Sequence, residues 1–202
     1  MNAFLKYLFD TIAIDVDHLY SYLSPVEINY LEKSIKSQND FENEFYTNEN
    51  GDNLEVLLYF MNCHKNDIVA LLKTPKQSEI LIRLYTSGCI SGGYDCFRFD
   101  LHKFDKVYES KNNLLKLYRV GRVGETSGDL GNSWSTSPSG LKNYCSASSI
   151  DTSSRPVFSI EINDSEVLFR GDKLEDELVL KPGFDFINFE LLDDYEKQNF
   201  LS

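Results

Sequence analysis

Three stretches in the second half of the chain carry residue types that could do chemistry. Arg119 sits near the end of Leu117-Tyr118-Arg119-Val120, beside the glycine-rich run Gly121 to Gly131. A planar guanidinium placed there can grip a phosphate or carboxylate through two parallel hydrogen bonds. Ser133-Trp134-Ser135-Thr136-Ser137 sets the only tryptophan among four hydroxyls. Strand alternation puts Trp134 and Thr136 on one face and Ser135 with its two serine neighbours on the other. Glu175-Asp176-Glu177 stands directly before the apolar Leu178-Val179-Leu180. Glu175 and Glu177 are two residues apart and project to the same side. A glutamate that opens an apolar strand costs stability unless it is hydrogen-bonded or functional. Each pattern by itself also fits a structural role. Arg119 could be an ion-paired strand arginine, Trp134 a buried edge-strand ring, and the acids a turn. For the first two the structural role is the stronger reading.

The elements that must position these residues follow from periodicity. The first hundred residues read mainly as helix. Met1 to Val16 is an amphipathic helix rather than a cleaved signal, because Lys6 and Asp10 interrupt its apolar run. Ser24-Pro25-Val26-Glu27 has the form of a capping box with proline at the first helical position. Residues 37–53 are polar and read as a loop. Leu54 to Leu72 is helical with a break near Asn62 to Asn66. Thr74-Pro75-Lys76-Gln77 reads as a second capping box, opening a helix that stops at Gly88, with a turn from Gly88 to Gly93. After about residue 110 the period changes to two. Strands are expected at Leu114–Val120, Ser133–Ser137, Val157–Ile162, Glu166–Phe169, Glu177–Leu180 and Phe184–Phe189, with a short helix at Gly140 to Ala147. Helices followed by a run of short strands indicate an α+β fold, organised as a mainly helical region over 1–110 and a β-rich region over 111–202 of the same domain.

In this order, each at a strand, the three stretches resemble the arginine–serine–glutamate class of mono-ADP-ribosyltransferases. The matches are Arg119, Ser135-Thr136-Ser137 and Glu175-Asp176-Glu177, with the helix from Leu141 to Ala147 and the strand Val157–Ile162 falling where the family has them. The resemblance covers roughly residues 111–190 and implies a core of two small packed antiparallel or mixed β-sheets. Two positions depart from the family pattern. Val120 follows the motif arginine, where many relatives have a glycine whose backbone binds the nicotinamide amide. Asp172, Lys173 and Leu174 stand where related toxins often carry an aromatic residue ahead of the acidic motif.

The resemblance implies an enzyme that cleaves NAD, as substrate, at the nicotinamide–ribose bond and transfers ADP-ribose to an acceptor, foremost a protein arginine. Glu177 would steady the oxocarbenium-like ribose, Ser135 would orient Glu177, and Glu175 would position or deprotonate the acceptor. Arg119, Val120, Ser135, Thr136 and Glu177 would bind the dinucleotide, with no metal. Two other outcomes stay open on this scaffold: an NAD glycohydrolase, and transfer to a nucleic-acid base. An acidic α+β interaction module without catalysis is the reading outside enzymology.

Composition bounds the setting. Lys and Arg total 20 against 32 Asp and Glu, a net charge of −12 spread over both halves. That lacks the footprint of a general duplex binder, so a protein acceptor is favoured over nucleic acid. No segment has the apolar length of a membrane span, and no membrane partner is expected. None of Cys63, Cys89, Cys96 and Cys145 forms a CxxC pair, nor does any fall at zinc spacing with His18, His64 or His102. Free thiols in a reducing cytoplasm are the expected state. A toxin, an effector or a phage-encoded modifier would suit this composition, and an antitoxin or accessory partner would fit such a setting.

Overall fold

The computed structural model describes residues 1–43, 45, 52–89, 98–150 and 152–201. Contacts divide the chain into two units, Met1–Phe104 and Asp105–Ser202.

The first unit is helical: α1 (Ala3–Thr11), α2 (Val16–Tyr22), α3 (Pro25–Ser34), α4 (Gln38–Glu42), α5 (Asp52–Cys63), α6 (Lys65–Lys73) and α7 (Ser78–Tyr85), then a 3-10 turn at Leu101–Lys103. Leu5, Leu8, Phe9, Leu31, Leu57, Leu58, Ile68, Leu71 and Leu84 form its core. The capping box at Ser24 and Glu27 is present in both directions, with Pro25 in the first turn. The break near residue 64 is also present, between α5 and α6. Four expectations need correction. The helix expected over Met1 to Val16 stops at Thr11, and α2 starts only at Val16. Ser37 accepts from the Asp40 N–H and opens the five-residue α4 inside the expected loop; residues 44 and 46–51 of that loop lie outside the described residues. Thr74 caps no following helix. Its carbonyl instead accepts from the Gln77 side-chain amide, so Gln77 closes α6 while α7 begins at Ser78. Finally, α7 ends at Tyr85, before Gly88. Most of the expected turn to Gly93 lies outside the described residues.

The second unit is built on β1 (Leu114–Val120), β2 (Ser133–Ser135), β3 (Val157–Asn163), β4 (Val167–Arg170), β5 (Glu177–Leu180) and β6 (Asn188–Leu191), with α8 (Pro138–Ala147) after β2 and α9 (Asp194–Leu201) at the end. The strands form a single antiparallel sheet in the order β4-β5-β2-β1-β3-β6. This corrects the expected pair of packed sheets. The sheet does narrow: β1 pairs with β3 over seven registered residues but meets β2 only at Tyr118↔Ser135. A three-residue β2 is too short to extend that ladder. Leu117, Trp134, Phe158, Ile160, Ile162, Leu178 and Leu180 pack on one face. Val120, Val157, Leu141 and Cys145 form a smaller cluster under α8. Phe200 of α9 packs on Tyr118 with the rings tilted and 4.6 Å between their centroids.

Further boundaries moved, and β2 ends at Ser135 instead of the expected Ser137. Ser137 accepts from the Gly140 N–H as the N-cap of α8, and Pro138 occupies its first turn, so the helix begins earlier than residue 140. Phe184 and Phe186 do not join a strand. They sit in an aromatic chain running from Trp134 to Phe189, and β6 starts only at Asn188. Helix α9 had no counterpart in the sequence reading.

Candidate functional site

Sheet order brings the three chemical stretches together. β5, β2 and β1 are neighbours, and one line of registered residues crosses them: Glu177↔Ser135 and Ser135↔Tyr118. Arg119, Val120, Ser133, Ser135, Glu175 and Glu177 line one cleft, with Tyr118, Tyr144, Trp134 and Leu141 completing its wall. The cleft measures about 280 Å³ out to its mouth.

Glu177 opens β5. Its Oε1 accepts from the Ser133 hydroxyl and its Oε2 from the Asp172 N–H at 2.8 Å. Burial pushes this carboxyl above its ordinary range. The bonds from Ser133 and Asp172 and the charge of Arg119 pull it back only in part. Glu175, on the preceding loop, is pushed up to about 7 by burial and by the neighbouring Glu177 and Asp172 carboxylates. No cation salt-bridges either acid among the described residues. Glu175 and Glu177 therefore give the cleft an acidic side that suits a cationic guest, while Arg119 lines the same cleft.

The hydroxyl motif holds the acidic loop in place. Ser135 is buried, and its Oγ lies 2.7 Å from the Glu175 carbonyl and 2.9 Å from that of Ser137. The Thr136 N–H donates to the Asp176 carbonyl at 3.0 Å. The Ser137 hydroxyl donates to the Asp176 carboxylate at 2.5 Å, and Asn143 of α8 donates to the Leu174 carbonyl at 2.6 Å. Asp176 adopts a positive φ of 48° within this tightly bonded turn. The hydroxyl that touches Glu177 is thus Ser133's and not Ser135's. Ser135 and Glu177 face each other in register, but the Ser135 hydroxyl is committed to backbone carbonyls. Ser133 reaches the carboxylate diagonally. Thr136 is exposed and does not line the cleft, whereas Val120 does.

Arg119 is held by a residue that sequence reasoning passed over. Its Nε donates to Glu125 Oε1 at 3.0 Å, and its Nη1 donates to the Ser133 carbonyl at 2.9 Å. The Glu125 side chain is fully buried. It also accepts from the Arg122 N–H at 2.6 Å and the Gly131 N–H at 2.7 Å. Burial alone would raise its pKa, but the Arg119 guanidinium and these bonds hold it below the usual carboxylate range. An acid inside the glycine-rich loop was the available signal, shared there with Asp129. Nη2 also lies 3.4 Å from Glu125 Oε2, so three of the five guanidinium N–H groups are engaged and two remain for an anion.

Two glycines make room for these side chains. A Cβ on Gly131 would overlap the Arg119 guanidinium, and one on Gly171 would overlap the Glu177 carboxylate. Both groups are fixed by several hydrogen bonds, so neither can swing away freely. Gly131→Ala and Gly171→Ala should each lower stability by about 1–3 kcal/mol, read as a drop in the urea unfolding midpoint. Unchanged midpoints would show that the guanidinium and carboxylate are not locked as described.

No family model, no curated protein and no solved structure matches this chain. Among the described residues, no group of three or more His, Cys, Asp or Glu could hold a metal ion. No helix among them is long and apolar enough to cross a membrane.

Proposed function

We propose that the chain is a mono-ADP-ribosyltransferase that breaks the nicotinamide–ribose bond of NAD and passes ADP-ribose to an acceptor, a protein arginine foremost. The observation that carries this reading is the convergence of Arg119, the Ser133 hydroxyl, Glu175 and Glu177 on one cleft. Arg119 offers its remaining N–H groups to the pyrophosphate. The nicotinamide ring of NAD is a cation, and Glu175 and Glu177, which no cation salt-bridges among the described residues, suit it. As the bond to nicotinamide breaks, positive charge moves onto the ribose, where Glu177, fixed by Ser133 and Asp172, stabilises it at no further reorganisation cost.

Glu175, with its pKa near 7, suits the acceptor step. Ionised, it pairs with an incoming guanidinium and draws off its proton. Transfer to arginine should therefore climb as pH rises through about 7. Glu175→Gln should remove that climb and most of the transfer while nicotinamide release continues. Because burial raises the folded-state pKa of Glu175, ionising it destabilises the fold. Parental stability should then fall between the ordinary carboxylate range and about pH 7, and this slope should flatten in Glu175→Gln. The reading is tested by incubating lysate with NAD labelled in the adenosine half, following both free nicotinamide and label on macromolecules, with separate protease and nuclease digestion. Label released by protease supports it. Nicotinamide release without labelled product would indicate a glycohydrolase, and label released by nuclease a base-modifying enzyme. Neither activity, with no NAD-dependent rise in melting temperature, would leave the non-catalytic module.

A further inference from the structure

The helical unit contains a second cluster of reactive groups that NAD chemistry does not use. Cys63 ends α5 and is exposed; Cys89 follows α7 and is partly exposed. His64, next to Cys63 in sequence, brings its Nε2 to 3.7 Å from Cys89 Sγ and 2.6 Å from Ser87 Oγ. The Cys89 N–H donates to Ser87 Oγ at 3.2 Å, which fixes the turn carrying the thiol. The Asp67 carboxylate lies 3.9 Å from His64 Nδ1 and is itself held by Arg83 at 2.7 Å. Asp67 favours the tautomer with the proton on Nδ1, leaving Nε2 as the acceptor that faces Ser87 and Cys89. Burial lowers the pKa of His64, so the ring is neutral and able to take a proton at pH 7. The Cys63 and Cys89 thiols lie within hydrogen-bonding reach of one another; partial desolvation and that neighbour raise the Cys63 thiol above its ordinary pKa.

We propose that Cys63 and Cys89 form a hydroperoxide-reactive dithiol, in which Cys89 is the attacking thiol, His64 its base and Cys63 the resolving thiol. His64 Nε2 takes the Cys89 proton. The thiolate attacks the terminal oxygen of a hydroperoxide, the O–O bond breaks, and Cys89 becomes a sulfenic acid. The departing alkoxide takes the proton back from His64 as the alcohol. The Cys63 sulfur then attacks Cys89 Sγ, the S–O bond breaks, and hydroxide leaves with the Cys63 proton as water. The dithiol loses two electrons and two protons, and the hydroperoxide is reduced to alcohol and water. The product disulfide ties the end of α5 to the turn after α7 and closes the chain between them, which restricts the unfolded state.

The test uses the full chain carrying Cys96→Ser, with hydrogen peroxide as oxidant, read by intact mass and peptide mapping. The expected product has lost two hydrogens, carries a Cys63–Cys89 cross-linked peptide, and melts at a higher temperature until a reductant is added. Cys63→Ser should stop at a sulfenic acid on Cys89 that dimedone traps. Cys89→Ser should leave Cys63 reduced, and His64→Asn should slow oxidation by at least about tenfold. Melting curves of each variant under reductant confirm that it folds. Three results would each overturn the assignment: no cross-link at peroxide levels that oxidise an exposed model thiol; unchanged oxidation of Cys63 in Cys89→Ser; or a Cys89–Cys96 disulfide as the main product in the chain with all four cysteines.

Discussion

Glu177→Gln should release nicotinamide at least about a hundredfold more slowly than the parent and transfer no measurable ADP-ribose. The amide has the size of the carboxylate and can keep both neighbours. Its oxygen accepts from the Asp172 N–H, and its NH₂ donates to the Ser133 oxygen, whose hydroxyl turns round. What it lacks is the negative charge facing the ribose cation, so the loss falls on the transition state and not on the fold. Stability should in fact rise. Burial lifts the Glu177 pKa in the folded protein above its unfolded value. Ionising it therefore costs the folded state free energy at every pH above the ordinary carboxylate range. Gln removes that cost, so the variant should melt higher than the parent at neutral and alkaline pH. The two should converge in acid, where Glu177 is protonated in both states. Melting temperatures across pH, measured beside nicotinamide release, check both halves. Parental release by the variant would remove Glu177 from its proposed role, and a lower melting temperature at all pH values would show that its carboxylate is not confined as described.

How much of this was legible in the sequence depended on how local each cause was. β1 and β5 coincide with the expected spans because period-two alternation and a bounded apolar run are local signals. The Ser24 box was legible because both of its bonds close within four residues. The Thr74 segment carries similar letters but folds otherwise. Lys76 takes a positive φ of 63°, and the Gln77 amide turns back to the carbonyls at the end of α6. Phe184 and Phe186 alternate like strand residues, but edge contacts among aromatic rings hold them outside the ladder. The partner of Glu177 was beyond the sequence for a different reason. Ser133 and Ser135 share a face, and only tertiary contacts decide which hydroxyl stays available: the Glu175 carbonyl claims Ser135. Glu125 was the least legible, since half its partners are backbone N–H groups, which no residue type announces.

Glu125→Ala should destabilise the β-rich unit strongly, by about 3 kcal/mol. The side chain is fully buried, and Arg119 beside it is 15% exposed. Truncation leaves the guanidinium uncompensated and leaves the Arg122 and Gly131 N–H groups without an acceptor. Glu125→Gln keeps one accepting oxygen and should cost less. The two variants should also differ from the parent in acid. The folded pKa of Glu125 lies below its unfolded value, so its contribution is complete above the ordinary carboxylate range and disappears as pH falls through the folded value. The acid limb of the parent's stability curve should therefore be steeper than that of Glu125→Gln. If Arg119 holds the dinucleotide, loosening it should raise the KM for NAD more than it lowers kcat, because phosphate grip is shared by ground and transition states. A variant with parental stability and an unchanged KM would show that Arg119 keeps its place without Glu125. An unchanged KM in a clearly destabilised variant would mean that the guanidinium serves the loop and not the ligand.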